Sequence, residues 1–395
     1  MKTKSRIKIS AELEAILPDL IKVWRKFNKL SGPEDALQTR EFRATSELVQ
    51  TIETALQNAA TPPGFYTRDV IAAYLLYHFP LHYGQGLSLI GELPKVPKKV
   101  LEIGCGLAPF ALAALKIGAQ DVYAIDQSEE ALKLGAEVIG RLGYPISMRH
   151  YSYGKTPFPF SFSERFDLII LPHCLNEFFP LDEKDSQEKK LKFIDDCLHR
   201  LEPTGHLMIV DRSETETNTE ILKIRDHFVS HGIAVQAPCV WKGLCPALAS
   251  KSPCYAQREF DKPHFMKELQ RGAGIFLNSL KMSYLILRSP KATWPDLYNQ
   301  PYYRVVSPPI ESYQGKRYYL CGRDGKEKLD LRIDEKSFTL QRGSLISLES
   351  NSKYTHVLAP GKPLSDIPYV HKKDELQEAP LTEKDDPSHL PNTEN

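Results

Sequence analysis

No stretch of the 395-residue sequence approaches the roughly eighteen consecutive apolar residues of a membrane-spanning helix. Met1 to Lys8 carries four basic residues, but the apolar core of a secretion signal does not follow. The early acids Glu12, Glu14 and Asp19 argue against a long mitochondrial transit peptide, which is poor in acids. A soluble, intracellular protein without a membrane partner is expected. A net charge of +1 excludes a chain that is polyanionic or polycationic as a whole. That balance hides an asymmetry: Cys239 to Arg332 holds sixteen Lys and Arg against eight Asp and Glu, while residues 333–395 hold seven basic and eleven acidic ones. A basic C-terminal half suits a polyanionic partner, although most such surpluses are only solvated surface. With seven cysteines and no secretory signal, metal ligation or free thiols are expected rather than disulfides.

What is present is organised around residues 100–126. An apolar run, Val100 to Ile103, ends at Gly104 and Gly106; a helical stretch, Pro109 to Ile117, and a second apolar run, Val122 to Ile125, lead to Asp126. This reads as strand, tight loop, helix, strand, with an acid at the second strand's tip. The glycines let the backbone turn sharply and approach a ligand, and the acid about twenty residues on can accept hydrogen bonds from ribose hydroxyls. A dinucleotide site would want a third small residue ahead of the helix; here the loop is Gly-Cys-Gly-Leu-Ala-Pro, preceded by Glu102. The pattern Leu-Glu-Ile-Gly-Cys-Gly resembles motif I of the S-adenosylmethionine-dependent methyltransferases. The resemblance implies that Glu102, Gly104, Cys105, Gly106 and Asp126 bind the cofactor, the loop beneath its amino-acid part and Asp126 at the ribose. The plainer alternative is a strand–helix–strand unit with no ligand.

Residues 1–97 read as a helical region. Ser10 can cap the run Ala11 to Leu30, with a break expected at Pro18, and Arg68 to His78 is separated by Pro80 from a further helix to Leu93. Residues 98–289 alternate strands and helices, with strands at Ile146 to Tyr151, Phe166 to Pro172, Leu207 to Val210, Ile233 to Gln236 and Ser283 to Leu287 after the first two. The expected fold is α/β, a seven-stranded Rossmann-like methyltransferase sheet. Residues 290–350 carry short strands and turn signals, for which a small β barrel of OB-like size is expected. The Pro-, Asp-, Glu- and Ser-rich residues 351–395 read as a disordered acidic tail.

The insertion 237–262 holds Cys239, Cys245 and Cys254 in a stretch with no periodicity. Their spacing, Cys-x5-Cys-x8-Cys, lacks the Cys-x2-Cys of zinc ribbons and differs from compact ferredoxin runs. Cys321 is the best candidate for a fourth ligand, and soft thiolates select zinc or an iron–sulfur cluster. Free thiols are the alternative. Cys105 and Cys174 fall by the cofactor pocket, and Cys197 sits in a helix as core.

These cysteines, together with Lys281-Met-Ser-Tyr-Leu-Ile-Leu-Arg288, Tyr319-Leu-Cys-Gly-Arg-Asp-Gly325 and Ala73 to Tyr83, resemble the Rsm22-type, methyltransferase-like protein family of the mitochondrial small ribosomal subunit, which has bacterial relatives. The resemblance spans about residues 70 to 332. It implies association with the small ribosomal subunit or its rRNA, a retained S-adenosylmethionine site, and a [4Fe–4S] cluster on Cys239, Cys245, Cys254 and Cys321. Localisation would be cytoplasmic in a bacterium and the mitochondrial matrix in a eukaryote. The oligomeric state stays open, with a monomer expected. Two features depart from the family pattern: Glu102 and Ala108 stand where Asp and a third glycine are common, and Asp211-Arg-Ser follows strand five in place of Glu-Pro-Gly.

Residues after strand four usually face the methyl group. Here they are His173, Cys174, Asn176 and Glu177, without the Asn-Pro-Pro-Tyr of amino-group methylases or the Pro-Cys of cytosine-C5 enzymes. His173 could serve as base, and Asn176 or Glu177 could hold the substrate or the cofactor's methionine part. The same residues could simply cap the strand and its following helix. The readings that remain are an rRNA methyltransferase, a non-catalytic ribosome assembly factor and, less favoured, a small-molecule methyltransferase with a zinc module.

Overall fold

The computed structural model describes residues 8–57, 66–180, 183–295, 302–312, 315–332 and 340–347. The N-terminal region forms α1 (Ile9–Asn28), α2 (Thr39–Gln57) and α3 (Arg68–Ile90). The stripe Leu13, Ile16, Leu17, Leu20, Ile21 and Trp24 buries one side of α1. The expected break at Pro18 is not there, because apolar residues on both sides of it pack into one core. Proline removes a single N–H, and that burial outweighs the loss. The helix boundary expected at Pro80 is also absent: α3 runs through it, buried on nearly all sides.

The central domain follows as β1 (Lys99–Ile103), α4 (Pro109–Ile117), β2 (Asp121–Asp126), α5 (Glu129–Arg141), β3 (Ser147–His150), β4 (Phe166–Pro172), α6 (Leu175–Phe178), α7 (Ser186–Leu198), β5 (Leu201–Asp211), α8 (Thr215–Ser230) and β6 (Val235–Ala237). The insertion adds α9 (Pro246–Ala249), β7 (Ala256–Glu259) and α10 (His264–Gly272) before β8 (Ser279–Arg288). The order β3-β2-β1-β4-β5-β8-β6, parallel except for the antiparallel β8, is the expected seven-stranded methyltransferase arrangement. Chain order reverses between β1 and β4, so the ligand crevice falls at the carboxyl ends of these strands. Helix α3 packs on α4, with Gly86 so close that a Cβ there would lie 2.8 Å from Ala113 Cβ.

Strand β8 is longer than its sequence pattern indicates because its first half pairs with β7, a strand given by no alternation in the insertion. The C-terminal module is a separate antiparallel sheet of β9 (Tyr302–Val305), β10 (Ile310–Ser312), β11 (Gly315–Gly322), β12 (Gly325–Arg332) and β13 (Leu345–Ser347), with its own small core of Val305, Tyr318, Leu320, Leu329, Leu340 and Ile346. Among the described residues no ladder joins β12 to β13. The expected disordered tail lies outside the described residues. No described helix is long and apolar enough to cross a membrane.

Candidate functional site

The loop between β1 and α4 holds three left-handed residues, Gly104 (φ +68°), Gly106 (φ +53°) and Ala108 (φ +61°). A side chain at Gly104 would put its Cβ 2.5 Å from Cys174 Cβ, whereas nothing lies within 4 Å of a Cβ at Gly106, which opens onto the crevice. Left-handed Ala108 carries a cost of about 1–2 kcal/mol that glycine would avoid. Asp126 ties this loop to the next helix: Oδ2 accepts the Gly106 N–H at 2.8 Å and Oδ1 the Ser128 N–H at 2.8 Å. Glu102 lies fully buried beneath, its Oε2 accepting the Ala111 N–H at 2.6 Å in the first turn of α4. Its Oε1 has no partner among the described residues, and burial pushes the carboxyl well above its ordinary range.

A cleft of about 820 Å³ opens above it and brings together all eight residues expected for cofactor and catalysis: Glu102, Gly104, Cys105, Gly106, Asp126, His173, Asn176 and Glu177. His173, itself left-handed (φ +56°), stacks on His82 of α3 with centroids 4.3 Å apart. Its Nε2 meets Gln85 Oε1 at 3.1 Å. The other end of the Gln85 amide, Nε2, donates to Lys281 O at 3.3 Å, so Oε1 must face the imidazole. Nε2 of His173 therefore carries hydrogen, and Nδ1, 3.8 Å from Asp211 Oδ1, is the atom that can take a proton. Tyr74 closes the far side of the stack with its hydroxyl 2.6 Å from His82 Nδ1. Burial, then His173 and His78, hold His82 well below the ordinary histidine range, so it is neutral.

Asn176 is held at both ends of its amide, Oδ1 accepting from buried Lys190 at 3.1 Å and Nδ2 reaching Asp211 Oδ2 at 3.5 Å. Glu177 Oε2 accepts from the Tyr66 hydroxyl at 3.1 Å. Although Glu177 faces the open cleft, surrounding protein, followed by Asp126 and Asp211, raises its carboxyl to about 7 against the lowering by Tyr66. Sequence reasoning missed Tyr66, His82 and Asp211 as cleft residues, and Gln85 as the buried partner behind His173. Asp211 had a signal, an acid ending a strand; Tyr66 had none.

The second cavity, about 250 Å³, is lined by Cys239, Cys245, Cys254 and Cys321 together. Asn218, buried on α8, holds the chain on both sides of Cys254, accepting its N–H at 3.1 Å and donating to its carbonyl at 2.8 Å. The Cys245 N–H donates to the Asp226 carboxylate at 2.9 Å. Cys321 arrives from β11, paired with Arg304 of β9. Burial, then Cys239 and Cys245, push the Cys254 thiol up to about 12. Arg225, Arg304 and Arg342 stand in the wall. Among the described residues no three His, Cys, Asp or Glu side chains are gathered as a single metal ion would need. Of the other cysteines, Cys105 and Cys174 lie at the cleft and Cys197 in the core.

Residues 68–349 match the family described as "Mitochondrial small ribosomal subunit Rsm22". No curated protein matches the chain. Among solved structures the chain is similar to a methyltransferase from Pyrococcus furiosus, at 16% identity over 52% of this chain and 80% of that one, with a TM-score of 0.34. It is similar to a ribosomal protein L11 methylase from Lactobacillus delbrueckii subsp. bulgaricus (18% identity, 51% and 77% covered, TM-score 0.31). A S-adenosylmethionine-dependent methyltransferase from Aquifex aeolicus is also similar (16% identity, 52% and 88% covered, TM-score 0.31).

Proposed function

Because the chain belongs to the Rsm22 family of the mitochondrial small ribosomal subunit, we propose that it acts on that subunit, binding S-adenosylmethionine in the cleft and methylating the subunit's RNA. It would work where the ribosome is, in the mitochondrial matrix of a eukaryote or the cytoplasm of a bacterium. The observation that carries this reading is Glu177, a carboxyl at the cleft brought to about 7, in the same cleft as His173, whose Nδ1 lies 3.8 Å from Asp211 Oδ1. A group titrating near neutrality suits removal of a proton from an N–H nucleophile.

The residues present fit the cofactor. Gly106 leaves open space over the loop, and the orphaned Oε1 of buried Glu102 lies under it. When bound, S-adenosylmethionine supplies a methyl carbon made electrophilic by its sulfonium sulfur. Asp126 would accept from the ribose hydroxyls, and the Gly104–Gly106 backbone would bed the amino-acid part. Glu177 or His173 would take the proton that the acceptor nitrogen releases, and Asn176, fixed at both ends, would orient the acceptor.

The second cavity suits a [4Fe–4S] cluster, with a zinc ion as the alternative: among the described residues four cysteines line it and no carboxylate or imidazole does, and soft thiolates select either. Of the three arginines in its wall, Arg225 and Arg304 are paired with Asp226 and Glu92, while Arg342 forms no ion pair among the described residues and suits an anionic cluster. When bound, the cluster would supply a crosslink between the insertion and β11. Anaerobically purified protein should be brown; colourless protein with stoichiometric zinc refutes the assignment.

A second reading, an assembly factor without turnover, keeps the same family and cleft and drops only the proton transfer assigned to Glu177 and His173. The experiment that separates the two incubates the protein with small ribosomal subunits and a labelled methyl donor. Label in rRNA that disappears with Glu177→Gln supports methylation. Subunit binding and cofactor binding without label would refute turnover and leave the assembly factor.

A further inference from the structure

We propose that residues 157–165, with Arg149 and Arg200, form a docking surface for single-stranded RNA, separate from both cavities. The partner class rests on the small-subunit reading above. In Pro-Phe158-Pro-Phe160-Ser-Phe162-Ser-Glu-Arg165, phenylalanine recurs at every second position. Two of the rings are anchored. Phe160 packs edge-on against Tyr123 and Phe166, at 5.3 and 5.4 Å, and Phe158 against Tyr151 at 5.4 Å. The third, Phe162, is 75% exposed.

Guanidinium groups interleave with these rings. Arg200 Cζ lies 4.4 Å from the Phe158 centroid and 5.5 Å from that of Phe162; Arg149 Cζ lies 4.7 Å from Phe160. Each of three arginines donates to a carbonyl of the loop: Arg149 to Pro159 at 2.9 Å, Arg165 to Phe162 at 2.7 Å and Arg200 to Ser161 at 2.9 Å. Carbonyl acceptors fix a guanidinium's position but do not neutralise it. Among the described residues none of the three forms an ion pair, and the loop's own acid, Glu164, is taken by Lys99. On the neighbouring helix α7, Asp195 lies 3.5 Å from the His199 imidazole and Asp196 is exposed beside it.

The result is a fixed array of cations beside one exposed ring, Phe162, supported by half-buried Phe158 and buried Phe160. Phosphates match the cations and an unpaired base the exposed ring. Duplex RNA hides its base faces, so a single strand is the form that uses both. The loop returns from the carboxyl end of β3, where Arg149 pairs with Ile125 one residue before Asp126, to Arg165 at the start of β4.

The test uses the full chain with a fluorescein-labelled oligouridine in anisotropy titrations, and co-sedimentation with purified small ribosomal subunits. Phe162→Ser removes a ring that packs little, so folding should be unchanged while oligouridine binding weakens about 5- to 30-fold. Arg149→Gln/Arg200→Gln should reduce the slope of log affinity against log salt by about 1.4. If the double variant melts early, Phe162→Ser alone decides. Affinity within about twofold for Phe162→Ser overturns the proposal, as does polyglutamate competing through the same residues as well as oligouridine. Variants that lose oligouridine while wild type fails to sediment with subunits uphold the surface and refute the small-subunit reading. Wild type that sediments, with variants equal to it in both assays, refutes the surface and leaves that reading standing.

Discussion

Replacing Glu92 with glutamine is expected to be among the most damaging single substitutions outside either cavity. Glu92 lies two residues past the end of α3 and is 4% exposed. Its Oε1 accepts from Arg258 at 3.1 Å and Arg304 at 3.2 Å, and its Oε2 from Arg304 at 3.2 Å. Arg258 comes from β7 and Arg304 from β9, and both are buried. Arg304 also donates to Pro238 O at 2.9 Å and Gly343 O at 2.7 Å. One carboxylate therefore joins α3, the insertion and the C-terminal sheet. Glutamine keeps the shape but takes the carboxylate charge away from two buried guanidiniums. Removing one partner of a buried pair costs about 3–5 kcal/mol. The backbone carbonyls on Arg304 soften the loss, which places it near 4 kcal/mol. At about 2–4 °C per kcal/mol for a domain of this size, Tm should fall by about 8–16 °C in a calorimetric melt. A drop under about 3 °C would refute the reasoning, since it corresponds to roughly 1 kcal/mol. Glu92→Leu combined with Arg258→Met and Arg304→Met should recover most of the loss, because an apolar replacement needs no counter-charge.

Asp126→Ala removes the acceptor for Gly106 and Ser128 along with the expected ribose contact. Affinity for S-adenosylmethionine should fall about 10- to 100-fold in calorimetry, and unchanged affinity sinks the ribose role. Gln85→Leu frees the His173 imidazole, so nitrogen NMR should show loss of the Nε2–H tautomer; an unaltered tautomer means that Gln85 does not set it. Methyl transfer should rise with pH through about 7 as Glu177 ionises, and Glu177→Gln should abolish that limb. The stability sign runs the other way. A carboxyl raised above its unfolded value favours the folded state when protonated, so this contribution is present below about 4.5 and is lost as pH rises through about 7. An activity profile flat from pH 6 to 8 in a chemistry-limited assay argues against Glu177 as base.

The strand–loop–helix–strand unit was legible because three signals coincide there: apolar runs, glycines at left-handed positions and an acid at a strand tip. Cys239, Cys245 and Cys254 were legible because cysteine in a non-periodic segment has little packing purpose; Cys321, on a strand, joined them as the best fourth candidate and through the family resemblance, and the fold brings all four to one cavity. The helices through Pro18 and Pro80 were not, since a proline's local signal says nothing of the tertiary burial that overrides it. Strand β7 escaped because four residues are too few to show alternation. Glu92 escaped for another reason: its partners lie 166 and 212 residues away, and a buried acid looks like any surface acid until its partners are found.

Helix α3 links the two cavities, and that link has a measurable consequence. His82 lines the cleft and Gln85 holds His173 from behind, Ser88 Oγ accepts from Arg258 at 3.2 Å, and Glu92 follows just beyond the helix. Gln85 and Glu92 are seven residues apart, about 10 Å of helical rise. The helix that sets the His173 tautomer thus carries, near its far end, the anchor of the sheet that bears Cys321. Buried on nearly all sides, α3 has little room to bend and should pass a displacement of that sheet on to the cleft. Cys321→Ser, which changes nothing in the cleft directly, should then weaken S-adenosylmethionine binding as well as metal loading. Coupling energies between sites are commonly about 1–3 kcal/mol, so a loss of about 5-fold or more is expected by calorimetry. Full cofactor affinity in a variant that has lost its metal would show that α3 holds the two cavities together without coupling them.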